Sequence, residues 1–199
     1  MTAEFRWAPM TVAEIAELFS ALQAPWWLAG GWAVDAFVGR TTRGHGDIDI
    51  AVLRRDQPYL WALLRTWDIR VAHDGVLTPW DGHALVAPRH QFWVRHHGDE
   101  SWRFEILLED TAGDAWLYRR DPRIAMPLAD LGRVDAHGVP YLRPALALLY
   151  KSPAAPAAAA ERNAADFDAC APVLPESDRA WLKAVLPLVA PDHPWLDRL

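Results

Sequence analysis

Residues 30–50 read GGWAVDAFVGRTTRGHGDIDI, and this stretch decides the fold, because it sets two glycines about one helix ahead of the carboxylate pair Asp47 and Asp49. Successive side chains on a strand alternate between faces, so Asp47 and Asp49 in the run DIDIAVL are expected on one side of a sheet. Two hard oxygen ligands so placed suit Mg2+, which takes a few carboxylates plus substrate phosphates in preference to an all-protein cage. The partner expected in the gap is a nucleoside triphosphate.

Working outward, Trp26, Trp27, Leu28 and Ala29 read as a short buried strand ending at Gly30 and Gly31. A helix is expected from Trp32 to Val38, stopping near Gly39. Glycine at such a turn lets the N–H groups of a helix N-terminus approach phosphate oxygens directly. Arg43 and His45 lie in the polar loop before Asp47, placed to touch the same phosphates. Each piece also has a plainer reading: the glycines as a tight turn, the aspartates as a cap or a solvated edge, Arg43 as one of many surface arginines, His45 as a structural histidine.

The motifs GGWAVD and TRGHGDID, in this order and spacing, resemble those of the small nucleotidyltransferases that share the catalytic core of DNA polymerase β. The likeness is closest to the aminoglycoside and lincosamide nucleotidyltransferases. It covers about residues 26–53 closely and reaches more weakly to about residue 170. It implies a nucleotidyltransferase fold, Mg2+ held by Asp47 and Asp49, and ATP as the co-substrate whose AMP is transferred.

Two metals bridging the attacking and leaving oxygens need a third carboxylate from a neighbouring strand. In SWRFEILLED, Arg103, Glu105 and Leu107 alternate with Phe104, Ile106 and Leu108, which makes Glu105 the candidate. By resemblance this position binds metal and accepts the proton of the attacking hydroxyl. The LD pair usual there is replaced by Phe104 and Glu105, so metal ligand and proton acceptor both stay open as its role. Glu109 and Asp110 compete with it, but they fall where the strand is expected to end and read as solvated.

Of twenty Lys plus Arg, only Lys151 and Lys183 are lysine. Lys151 closes the helix-like segment RPALALLYKS, with Pro144 in the first turn and Leu146, Leu149 and Tyr150 on one face. It stands at a family-like LLxK position, followed by Arg162, Asn163, Asp166 and Phe167 of a further motif, and by resemblance it contacts the triphosphate. Compensation of a helix C-terminus is the alternative.

At 199 residues and 22.4 kDa the chain fits one core with a helical appendage, expected as a nucleotidyltransferase core over residues 1–142 and a helical C-terminal part over 143–199. A net charge of −6 argues against a protein that grips long nucleic acid by its backbone. The lone Cys170 forms no internal disulfide, and no four-ligand zinc pattern is visible. The opening MTAEFRWAPM lacks a leader pattern and no long apolar run occurs, so a cytoplasmic protein without membrane association is expected.

The coarse fold class is α/β (α+β), a mixed sheet backed by helices. Thr11 and Glu14 form a capping-box pattern before an amphipathic helix through Ile15, Leu18, Phe19 and Leu22. A helix is expected over 56–67, then strands near 70–72, 91–96, 102–108 and 116–119, and helices near 161–171 and 177–186 with Pro187 ending or kinking the last. PAAPAAAAE (153–161) reads equally as a connector or an alanine-rich helix start. Trp80, Trp93 and Trp102 are candidates for stacking on an acceptor, although core packing is the commoner use of tryptophan. Asp99, Glu100, Glu109 and Asp110 are candidates for an acidic rim that favours a cationic acceptor.

The resulting expectation is an adenylyltransferase-type enzyme moving a nucleoside monophosphate from Mg-NTP, with two Mg2+ ions, to a small-molecule hydroxyl, with release of pyrophosphate. An aminoglycoside or lincosamide antibiotic is the acceptor the resemblance implies. Two other classes stay open: an antitoxin-type nucleotidyltransferase acting on or masking a protein partner, and a nucleotide-binding module without turnover. The oligomeric state is not legible.

Overall fold

The computed structural model describes residues 5–199, so Met1 to Glu4 of the opening stretch lie outside it. In chain order the elements are α1 (Val12–Phe19), β1 (Trp26–Leu28), α2 (Gly30–Val38), β2 (Asp49–Leu53), α3 (Gln57–Leu64), β3 (Asp68–His73), β4 (Val76–Pro79), β5 (Gln91–Arg95), β6 (Phe104–Ala112), β7 (Ala115–Leu117), β8 (Ala125–Pro127), β9 (Gly132–Val134), β10 (Pro140–Leu142), α4 (Pro144–Lys151), α5 (Ala157–Cys170) and α6 (Glu176–Val189).

Local sequence accounts for several boundaries. Thr11 and Glu14 close the capping box at α1, the Glu14 amide donating to Thr11 Oγ1 at 3.2 Å and the Thr11 amide to Glu14 Oε2 at 2.7 Å. Gly39 ends α2 in the left-handed region at φ 77° and donates back to the Asp35 carbonyl. Pro144 opens α4 at a position where its missing N–H leaves nothing unpaired. The alanine-rich segment is both connector and helix, since α5 begins only at Ala157. Pro187 lies inside α6 without ending it.

The sheet is mixed, with strand order β4-β3-β5-β6-β2-β1-β10-β9; β7 pairs with β6 and β8 off this path. Two neighbouring pairs, β2 with β6 and β1 with β10, are parallel, and the others are antiparallel. Phe104, Ile106 and Leu108 on β6 are fully buried on one face, where Phe104 meets Phe19 of α1. The opposite face of β6 carries Glu105, Leu107 and Glu109 and looks toward α4, where Tyr150 bonds Glu109. Alternation of side chains thus splits β6 into a core face and a site face.

Some expectations need correction. Gly30 and Gly31 are the first residues of α2 and not a turn ahead of it. Strand β2 begins at Asp49, so Asp47 sits two residues before it, although Ile48 and Ile50 are both buried on the far side and keep the alternation. The strand expected to end at Leu108 runs on to Ala112. Glu109 is therefore buried inside the sheet, not solvated, because the Trp116 indole and the Tyr150 hydroxyl satisfy its carboxylate there. No helix among the described residues is long and apolar enough to cross a membrane.

Candidate active site

The parallel pairing of β2 and β6 sets Asp49 directly beside Glu105. Their backbones are tied on both sides, with the Glu105 amide donating to the Ile48 carbonyl at 2.9 Å and the Ala29 amide to the Asp49 carbonyl at 2.8 Å. The Gln91 amide donates to Glu105 Oε1 at 2.7 Å from β5. Asp47 is exposed at the approach to this pair.

The two paired carboxylates crowd each other. Burial, followed by the charge of Asp47, pushes Asp49 up to about 7, and Lys151 and Arg43 offset part of the effect. Burial and then the Asp49 charge raise Glu105 well above the usual carboxylate range. A cation between them would relieve both effects. Among the described residues no three His, Cys, Asp or Glu side chains already stand as one metal-binding group. Mg2+ asks for less, one or two carboxylates completed by phosphate oxygens and water, and the Asp49–Glu105 pair with Asp47 at its edge fits that demand.

Beside the pair lies the start of α2. Ala29 gives that helix no side-chain cap, so its first N–H groups are available to an anion. Gly30 has φ +57°, and a Cβ there would overlap the Asp49 carboxylate. A Cβ on Gly31 would overlap the His45 ring and the Arg43 guanidinium. Both glycines are required by close approach, the first also by backbone conformation.

The loop between α2 and β2 is fixed by buried carboxylates. His45 Nε2 lies 2.6 Å from Asp35 Oδ2, and Asp35 also accepts from the Thr42 amide and hydroxyl. The Trp32 indole donates to the Asp47 carbonyl at 3.0 Å and its ring lies 4.6 Å from that of His45. Arg43 pairs with Asp166 of α5, as does Lys151, whose Nζ is 2.8 Å from Asp166 Oδ2. Two cations share one fully buried carboxylate, which leaves surplus positive charge facing the site.

Two cavities meet at Asp49 and Lys151. One, of about 410 Å3, is lined by Gly31, Arg43, Asp47 and Arg162 and is the basic, glycine-bearing side. The other, of about 430 Å3, lies between β6 and α4 and is lined by Glu105, Leu107, Arg119 and Tyr150. Gly30, Gly31, Arg43, His45, Asp47, Asp49, Glu105 and Lys151 are thus gathered in one region.

Other sequence candidates fall elsewhere. Trp80 is buried with its indole donating to the His83 carbonyl, and Trp102 is buried beneath the Arg95 guanidinium. Neither they nor Trp93 line either cavity. The acidic rim does not form: Asp110 pairs with Arg54, Glu100 with Arg6 at the surface, and Glu109 is internal. Sequence reasoning assigned no role to Gln91, Arg119 or Arg120, whose placement depends on pairing of β5, β6 and β7, nor to Trp7, which reaches the first cavity only because residues 6–10 run beside 102–103.

Residues 11–79 match the model of the aminoglycoside-2″-adenylyltransferase family. Over 26 residues, 13% of this chain, it is 62% identical to 2″-aminoglycoside nucleotidyltransferases of Escherichia coli and Klebsiella pneumoniae, and that stretch spans 15% of the length of those relatives. The fold is similar to that of ANT(2″)-Ia in complex with adenylyl-2″-tobramycin, at a TM-score of 0.57 and 20% identity over 90% of this chain and 98% of that one. It is also similar to that of lincomycin-bound LnuA, a lincosamide antibiotic adenylyltransferase, at a TM-score of 0.55 and 18% identity over 81% of this chain and 99% of that one. The motif-bearing third of the sequence and the fold of nearly the whole chain therefore agree on one resemblance, to the aminoglycoside and lincosamide nucleotidyltransferases.

Proposed function

We propose that this protein is an adenylyltransferase-type nucleotidyltransferase, which moves AMP from Mg-ATP to a hydroxyl of a small molecule and releases pyrophosphate. The observation that carries the reading is the Asp49–Glu105 pair, aligned on parallel strands beside the uncapped, glycine-led start of α2. The matched family and the two structural relatives support it, and they name aminoglycosides and lincosamides as the acceptors to try first.

In this reading Asp47, Asp49 and Glu105 hold two Mg2+ ions, which when bound polarise the α-phosphate and neutralise charge on the leaving oxygens. Gly30 and Gly31 let the α2 N-terminus reach the triphosphate, while Arg43 and Lys151, sharing one counter-charge, draw it into the basic cavity. His45 sets the loop through Asp35. The acceptor oxygen approaches the α-phosphorus from the β6 side, and Glu105, oriented by Gln91, serves as ligand or proton acceptor. Positioning and charge complementarity supply the acceleration. Residues 1–142 form the catalytic core and 143–199 the helical part that brings Lys151 and Asp166. Neither long nucleic acid nor a membrane is expected as a partner.

The test is mass spectrometry of purified protein with Mg2+, mixed NTPs and a panel of aminoglycosides and lincosamides, with Asp49→Asn as control. A nucleotidyl adduct absent from the control supports the proposal; NTP binding without an adduct on any acceptor overturns it.

A further inference from the structure

The cavity between β6 and α4 changes character beyond the Asp49–Glu105 pair. Its far wall carries Arg119 and Arg120. Among the described residues Arg119 makes no ion pair or hydrogen bond; its guanidinium lies 5.0 Å over the Tyr150 ring. Arg120 donates only to uncharged oxygens, the Tyr150 carbonyl at 3.0 Å and the Tyr118 hydroxyl at 3.3 Å. The one carboxylate on this wall, Glu109, already accepts from Tyr150 and Trp116 at 2.6 Å each and lies in the field of Arg119, so two guanidiniums face one committed carboxylate. Lys151 shares Asp166 with Arg43 on the other side. Beyond the Asp49–Glu105 pair the charge facing an occupant is therefore net positive, and Leu107 adds an apolar wall.

We infer that Arg119 and Arg120 set acceptor specificity by excluding polyamines, so that this cavity admits a hydroxylated molecule with at most one basic nitrogen and an apolar portion. The inference rests on the reading that transfer occurs at Asp49 and Glu105. It divides the two acceptor classes that reading leaves together. An ammonium brought to within about 7 Å of the half-buried Arg119 guanidinium is disfavoured on the order of tenfold, with exposed Arg120 adding a screened contribution, and an aminoglycoside brings several. An apolar-faced acceptor meets no such opposition and can pack on Leu107.

The experiment is equilibrium titration of the full chain, held with Mg2+ and a non-hydrolysable ATP analogue at physiological salt, against tobramycin as polyamine and lincomycin as monoamine. Wild type is compared with Arg119→Glu/Arg120→Glu and, as a milder variant, Arg119→Gln/Arg120→Gln. The expected result is lincomycin binding at least about tenfold tighter than tobramycin in wild type, with tobramycin binding about tenfold tighter in the charge-reversed protein and by a smaller factor in the Gln variant. Wild type that prefers tobramycin, or folded variants that gain no affinity for it, would overturn the inference. Selective binding without any nucleotidyl adduct would sink the proposed reaction and leave the selectivity standing. Equal transfer to both acceptors would do the reverse.

Discussion

Arg43 and Asp166, 123 residues apart in sequence, form a two-point ion pair with Nε–Oδ1 at 2.8 Å and Nη2–Oδ2 at 2.9 Å. It ties the motif loop to α5, and Lys151 of α4 joins the same carboxylate. Asp166→Asn leaves the shape and removes the counter-charge from two cations. Removing one partner of a buried pair is strongly destabilising, so a loss of about 3 kcal/mol in denaturant unfolding is expected. Burial alone would raise Asp166, but the hydrogen bonds from Arg43 and the Lys151 charge outweigh it and hold the carboxyl below its ordinary 3.8. A depressed carboxylate stabilises fully above its unfolded value and loses that contribution as pH falls through the folded one. The wild-type advantage over Asp166→Asn should accordingly shrink only below about pH 4.

Asp49→Asn makes the opposite trade. Transfer should fall by roughly a thousandfold or more, since in the proposed reaction the group acts at the reacting centre. The protein without metal should meanwhile melt higher than wild type, because the substitution removes one of two carboxylates forced together at Asp49 and Glu105. Thermal melts of both proteins in chelator decide the matter, and a lower midpoint for the variant would contradict it.

Gly30 and Gly39 form a matched pair of probes. Both have positive φ, but a Cβ on Gly30 would strike Asp49, whereas a Cβ on Gly39 would meet nothing within 4 Å. Gly39→Ala should cost about 1 kcal/mol of backbone strain and spare activity. Gly30→Ala should cost more and also lose at least about tenfold in turnover by displacing the Asp49 carboxylate. Similar activity in the two variants would remove the glycine from the site.

Glu109 gives a pH signature of its own. Burial raises it above the ordinary 4.5, with the Tyr150 and Trp116 hydrogen bonds opposing. The folded protein thus keeps a proton that the unfolded chain releases, and the contribution of this group to stability declines as pH climbs from 4.5 toward the folded-state value. Glu109→Gln, whose amide oxygen can still accept both donors, should flatten that decline. Urea midpoints across the acid-to-neutral range would show two parallel curves if the reasoning fails.

How far these features were legible depends on whether their cause is local. Asp47, Asp49 and Glu105 could be read because strand alternation and the DIDIAVL and FEILLE runs need no partner to specify a face. The capping box at Thr11 and the left-handed Gly39 are equally local. Glu109 was misread because a charge near a strand end is usually solvated, and the Tyr150 and Trp116 donors that permit its burial come from other elements. Strands β8 to β10 are three residues each and carry no period to detect. Asp35 and Asp166 were visible as motif letters, but their grip on His45, Arg43 and Lys151 is a tertiary fact.

Strand β6 lies between β5 and β2, and half of the acid pair arrives with it. Asp49 leaves the ribosome more than fifty residues before Glu105 and has no partner in the meantime. The two halves of the proposed metal site meet only when the sheet closes around its central strand, a long-range parallel pairing of the kind that forms late. A nascent or half-unfolded chain would accordingly hold no magnesium and transfer no nucleotide, so the proposed activity would itself report that the central sheet is complete.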